Sequence, residues 1–367
     1  MAKRLYVGTR KGLLTYERRG DAWSMQATAF LGDPVTFVLE DGRDGTLYAA
    51  LNLGHFGVKL HRSRDQGTSW QEIPAPAFPA ADPAPEDTAP KGPSVFQIWS
   101  LAAGGPEEPG VLWAGTIPGG LFRSHDGGET WSLVESLWDF PARTQWMGGG
   151  YDDPGIHSIS VDPRDRRRMA VAVSSGGVIL SDDGGATWAQ GGHGLRAAYM
   201  PPEQAFDPVA QDPHLVVRCP AAPDVLWCQH HNGIFRSGDG GANFVEIEAA
   251  APSRFGFAVA VHPQRPETAW FVPAVKDECR VPVDGRFVAL RTDDGGESFS
   301  VLSEGLPPPP AFDLVYRHGL DVDQAGEALA MGTTTGNLWI SETGGRSWSA
   351  VSQHLPPINH VLWAADS

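Results

Sequence analysis

The chain has 367 residues, 41% of them apolar, and Gly (44) and Pro (31) together make up about a fifth of it. That is rich in turns yet below the ~25–30% at which low-complexity disorder begins. Acidic residues outnumber basic ones 44 to 28, a net charge of −16, which repels phosphate backbones and anionic membrane surfaces and argues against a nucleic-acid role.

No apolar run approaches the ~18–20 residues of a membrane span. The opening MAKRLYVGTRKG has no secretory pattern, and three cysteines are too few for a disulfide framework. A cytoplasmic setting is therefore expected.

Along the chain one unit keeps returning. A degenerate copy, YERRGDAW (16–23), is followed by SRDQGTSW (63–70), SHDGGETW (124–131), SDDGGATW (181–188), SGDGGANF (237–244), TDDGGESF (292–299) and SETGGRSW (341–348). The closing aromatics, Trp23, Trp70, Trp131, Trp188, Phe244, Phe299 and Trp348, are spaced by 47, 61, 57, 56, 55 and 49 residues. Each octet lies between two short apolar segments, as in GLFRS (120–124) before it, and two further segments precede these, as in IHSISVD (156–162) and MAVAV (169–173). Four short strands per ~50-residue period predict a four-stranded antiparallel sheet repeated radially. The fold class is thus all-β, a seven-bladed β-propeller forming a single domain over residues 1–367.

The first unit lacks its innermost strand, whereas the chain ends on an unassigned apolar segment, INHVLWA (358–364). Pairing the two closes the ring and removes an exposed edge.

The octets resemble the Asp box of the BNR-repeat, sialidase-like propellers, a family that includes sialidases, xyloglucan-acting hydrolases, sortilin-type receptors and assembly factors. The resemblance covers nearly the whole chain and is of a bacterial intracellular type. In such a box Asp65, Asp126, Asp183, Asp239 and Asp294 accept backbone N–H bonds within their own turn, glycine supplies positive φ, and the aromatic plugs the hairpin. Thr343 stands where the last copy should carry Asp, which predicts a weaker turn there. The Arg-Ile-Pro tripeptide of the sialidases is absent, and neither a Tyr/Glu pair nor the paired aspartates of the xyloglucan-acting relatives can be matched. The resemblance therefore implies a glycosyl-hydrolase-like fold without a recognisable sialidase catalytic set.

With strands running from the axis outward, the octets occupy one rim. Binding residues belong on the other, where four segments are elaborated: residues 71–94, with seven prolines, 132–156, 189–213 and 273–285. Aligned inner strands place His157 and His214 at equivalent positions on neighbouring blades, with Arg317-His318 and Asn359-His360 at the matching point of two others. His55, His230 and His231 come from turns on the same rim. Converging imidazoles suit a divalent transition metal such as Zn, or proton transfer near neutral pH. His157, His214 and His231 are the expected metal ligands, and His157 and His214 the alternative proton-transfer groups. Lys276, Arg280 and Arg317, with Tyr151, His55, His318 and His360, are the expected ligand-binding residues.

The leading expectation is an enzyme of hydrolase or lyase type acting on a small polar or carbohydrate-derived anionic molecule, without a nucleotide cofactor. Two alternatives stay open: a non-catalytic assembly propeller gripping a protein through loops 71–94 and 132–156, and a glycosidase using Asp152 and Glu278 as its carboxylate pair.

Overall fold

The computed structural model of the chain describes residues 3–79 and 92–365. Seven four-stranded antiparallel sheets stand in a ring. Blade 1 pairs Arg4–Thr9, Gly12–Arg19 and Ala22–Ala29 with an inner strand, Ile358–Trp363, brought from the far end of the chain. The inner strands of blades 2 to 7 are Val35–Asp41, Gln97–Ala103, Ile156–Asp162, Pro213–Arg218, Gly256–Val261 and Leu320–Val322. In each, the second, third and fourth strands follow outward in chain order.

The hydrophobic core is divided in the same way. Seven apolar clusters each fill the space between two adjacent blades, for instance Ala258, Trp270, Phe287, Met331 and Trp339 between blades 6 and 7. Because every blade buries both faces, its inner and middle strands are apolar nearly throughout, as in Thr46–Asn52 and Leu112–Ile117. The ring closes through Leu5 opposite Trp363 and Val7 opposite Val361. Asp321 on the inner strand of blade 7 also accepts the Trp363 backbone N–H at 2.8 Å, tying the last blade to the closing strand.

The octets form the turns between third and fourth strands, and their residue types follow from the bonds they make. Asp65 Oδ1 accepts the Ser69 amide at 2.8 Å, and the equivalent bond recurs at Asp126, Asp183, Asp239 and Asp294. The hydroxyl opening each octet adds a second brace: Ser63 donates to Asp65 and accepts the Gly67 amide. In the last copy Thr343 Oγ1 accepts the Ser347 amide at 2.9 Å, so the turn survives on one hydroxyl where the others use a carboxylate. Paired left-handed glycines such as Gly184 (φ 75°) and Gly185 (φ 86°) complete the turn. The boxes are structural, and they leave the opposite rim free.

Candidate functional site at the axial basin

On that opposite rim the inner strands share an irregularity. Strand pairing skips Asn359 in blade 1, Thr36 in blade 2, Trp99 in blade 3, His157 in blade 4, His214 in blade 5 and Phe257 with Ala258 in blade 6. A β-bulge leaves its extra residue out of the ladder and re-aims the side chain. Here each bulge falls at the start of an inner strand. Blade 7 uses a short 3-10 turn, Arg317–Gly319, at the equivalent point.

Several of these side chains tie one blade to the next. Asn359 Nδ2 donates to the Val35 carbonyl, Thr36 Oγ1 to that of Ile98, and His214 Nδ1 to that of Gly256. The belt stiffens the floor of a cavity of about 1290 Å³.

The basin is lined by aromatic faces, Phe56, Phe96, Trp99, Tyr151, Tyr199 and Phe257, together with charged groups. Four cations, Arg10, Lys11, Arg280 and Arg317, stand against three carboxylates, Asp33, Asp212 and Asp277. This positive excess occurs in a chain whose net charge is −16. Arg317 is the exceptional group. It is 8% exposed, its guanidinium lies 4.6 Å from the Trp99 ring centroid and 5.8 Å from that of Phe257, and its Nε and Nη2 make no hydrogen bond among the described residues. Burial pulls its pKa down, opposed by the charge of Asp212. Arg280, by contrast, is occupied by Asp277 Oδ1 at 2.6 Å and the Tyr316 hydroxyl at 3.3 Å.

Asp212, His214 and His231 form the second constellation, their ligand atoms lying within 4.8 Å of one another. Asp212 Oδ2 is 3.6 Å from His214 Nε2 and 3.3 Å from His231 Nδ1, and its Oδ1, although buried, has no partner among the described residues. Because the Gly256 carbonyl accepts a hydrogen bond from His214 Nδ1–H at 2.6 Å, Nε2 is the nitrogen turned to Asp212, carrying a lone pair whenever the ring is neutral. Burial would raise the Asp212 carboxyl, but His214 and His231 overcome it and hold the group well below the usual carboxylate range.

The structure redistributes the residues expected from the sequence. His214, His231, Arg317, His318, Arg280 and Tyr151 all line the basin. His157 does not join the metal-ligand cluster; Asp212 takes that place. The His157 Nδ1 lies 2.9 Å from the Ser158 hydroxyl, its ring packs edge-on to Trp99, and burial pushes its pKa well down, so it is a neutral residue behind the lining. His230 is buried with backbone amides of Asp212 and Asn232 at its two ring nitrogens, and burial pulls its pKa down to about 3. His360 packs against Phe37 at 4.4 Å behind the lining, while His55 is exposed against Phe56 on the rim, and neither lines the basin.

Lys276 and Glu278 are exposed and pair with each other at 3.4 Å, and Asp152 is exposed. None of the three lines the cavity, so the suggested Asp152/Glu278 carboxylate pair is not assembled there. Loop 132–156 delivers Gly148, Gly149, Gly150 and Tyr151 to the rim, whereas residues 80–91 of the proline-rich loop lie outside the described residues.

Asp212, Trp99, Phe257 and Thr36 escape a search confined to histidines. Asp212 sits two residues before His214, and an alignment of every inner-strand start, not only those bearing His, brings Thr36, Phe257 and Asn359 to the His157/His214 position.

Fold and turn chemistry together define a seven-bladed β-propeller built on Asp-box repeats. The profile of the BNR/Asp-box repeat family matches residues 122–133, the box of blade 3. An oligoxyloglucan-reducing end-specific xyloglucanase of Emericella nidulans is 26% identical over 309 residues, covering 80% of this chain and 31% of that protein. A xyloglucanase of Hypocrea jecorina is 26% identical over 156 residues, covering 39% of this chain and 17% of that one. The chain thus spans less than a third of the length of these curated relatives. Among solved structures, an ancestral GH74 enzyme superposes with a TM-score of 0.59 at 15% identity, over 92% of this chain and 37% of the other. YCF48 bound to D1 peptide gives 0.56 at 14% identity, over 93% and 94%. At these identities the structural likenesses establish the fold. Among the described residues no helix is long and apolar enough to cross a membrane.

Proposed function

We propose that the protein is an enzyme acting on a small carbohydrate-derived acid held in the axial basin. The observation that carries this reading is Arg317, a buried cation without an ion-pair partner among the described residues, lining a cavity with an excess of positive charge. Asp212 acts on this cation only from beyond ion-pair distance, a buried cation without a direct partner is costly, and an anionic ligand would supply one. Aromatic faces at Trp99, Tyr151 and Phe96 suit the apolar faces of a sugar ring. The relatives named as xyloglucanases, at 26% identity, support a carbohydrate ligand, and the acidic group rests on Arg317 alone. In this reading Arg317 orients the carboxylate, and His214 and His231, poised by Asp212, move protons at the bound ring in a hydrolytic or eliminative step.

The test is equilibrium binding of matched pairs such as glucuronate against glucose. A preference for the acid of at least ~10-fold, lost in Arg317→Met, is expected from a charge-assisted contact. Equal or absent binding of both contradicts the proposal. A bound protein that is lost on shortening the 71–94 loop, without sugar-acid binding, would assign the rim to partner docking instead.

A further inference from the structure

The Asp212, His214 and His231 cluster carries a more specific inference. We propose that it is a divalent transition-metal site of the zinc type, with coordination positions left open toward the basin. This rests on the reading of the basin as a working site and gives His214 and His231 the role of metal ligands in place of proton transfer.

Three features support the assignment. The donor set, two imidazole nitrogens and one carboxylate oxygen, is one that Zn²⁺ and its first-row neighbours accept. With metal–ligand bonds of ~2.0–2.2 Å, donors in one coordination sphere stand a little over 3 Å apart; His231 Nδ1 is already 3.3 Å and His214 Nε2 3.6 Å from Asp212 Oδ2. All three donor groups lie within 4.8 Å of one another, so closing the sphere calls on the half-buried His231 ring to swing inward.

The second feature is the orientation of His214. Its Nδ1–H is spent on the Gly256 carbonyl, the outer contact that fixes a metal-binding imidazole in its tautomer and directs Nε2 inward. Its ring is further held by stacking on Phe257, 4.4 Å centroid to centroid and 11° from parallel. In the neutral ring a lone pair and a carboxylate oxygen face one another, an arrangement that a shared proton or a shared metal cation resolves.

The third feature is Asp212 Oδ1. It is buried and without a hydrogen-bond partner among the described residues. An oxygen left without a partner in so buried a carboxylate is a demand that a bound cation would answer.

A dication here also changes the charge of the basin. Arg317 and Asp212 roughly offset one another, and a metal leaves the floor strongly positive. An acidic ligand can then bridge the ion and Arg317, both of which border the same cavity. Carboxylate-bearing sugars are therefore expected to bind more tightly to the loaded protein than to the stripped one.

The experiment uses the full chain, stripped with chelator and then titrated with ZnCl₂ or CoCl₂, with ions counted by mass spectrometry after gel filtration. One ion per chain is expected, with Co²⁺ giving the d–d absorption of a nitrogen/oxygen site. His231→Ala changes a partly exposed side chain, so its fold can be verified by an unchanged melting temperature; it should weaken uptake at least ~10-fold. Asp212→Asn should do the same, and His157→Ala should leave stoichiometry unaltered. Sub-stoichiometric uptake by the wild type, or uptake indifferent to His231→Ala and Asp212→Asn, overturns the metal site. Sugar-acid binding by the stripped protein reads the Arg317 pocket separately: binding without metal uptake removes only the metal, whereas metal uptake without sugar-acid binding removes only the ligand reading.

Discussion

His214 Nε2 faces Asp212 Oδ2 at 3.6 Å while the ring's other nitrogen is tied to the neighbouring blade at Gly256. One imidazole thus belongs both to the belt that joins the blades and to the cluster that could do chemistry. The same economy runs round the axis, since the bulges at Thr36, Trp99, Phe257 and Asn359 also turn a side chain toward the basin. Function and ring geometry are coupled here, and stability and binding measurements should be made on the same variants.

Arg317→Met tests that coupling from the side of stability. Replacing a buried, unpaired cation by an apolar side chain of similar length is expected to be neutral or to stabilise the apo protein by ~1–4 kcal/mol. Sugar-acid affinity should fall at the same time. Calorimetric melting of both proteins without ligand checks it; a large drop in melting temperature for Arg317→Met would show that the guanidinium serves the fold instead.

The boxes contribute to the acid limb of stability, together with the arginine-paired Asp165 and Asp224. Asp65, Asp126, Asp183 and Asp294 have pKa values lowered from about 3.8 to about 2, first by the hydroxyl of the residue four positions on and then by its backbone amide. Groups depressed in the folded state contribute stability that is fully present above the ordinary value and lost as pH falls toward 2. Stability should therefore decline between pH 4 and 2 with a slope set by several protons, and Asp183→Asn should shallow it. Thr343→Asp, which restores the missing carboxylate, should raise the melting temperature at pH 7 and lose that gain in acid.

Asp321 predicts the opposite sign. Burial raises its carboxyl to about 7 despite the Trp363 and Val322 amides it accepts. The folded state holds this proton more tightly than the unfolded chain, so the contribution is lost as pH rises from about 4 through 7. Stability should fall by on the order of 1–3 kcal/mol across that window, and Asp321→Asn should remove the dependence. Denaturant melts at pH 5 and pH 8 decide between the two shapes; equal stability of the wild type at both values would refute it.

Ring closure can be tested by deletion. Removing residues 358–367 takes away the inner strand of blade 1 together with Ile358, Val361 and Trp363 from the cluster between blades 7 and 1. Loss of cooperative melting is expected. A shortened chain that melts like the parent would contradict closure.

The fold was legible because its signal is redundant. An octet whose Ser, Asp, Gly and aromatic positions each answer one hydrogen bond, conformation or packing need, repeated at a near-constant period, leaves little choice of architecture. Even the Thr343 departure could be placed and its hydroxyl substitute found. The site was legible only in part, because bulges and blade connections obey no period. Aligning histidines found His214 but also drew in His157, which the same bulge places behind the lining. Asp212 lies in an elaborated connection, and its partnership with His231, nineteen positions away, exists only once two strands have paired. Glu278 and Asp152 drew notice as charged residues in long loops, where solvent was the simpler destination.

The most direct test of the central claim is a crystal structure of the protein with a bound sugar acid. The account predicts carboxylate density against the Arg317 guanidinium, with the sugar ring among Trp99, Tyr151 and Phe257. A ligand seated elsewhere, or Arg317 paired to a protein carboxylate with the basin filled only by water, would contradict it.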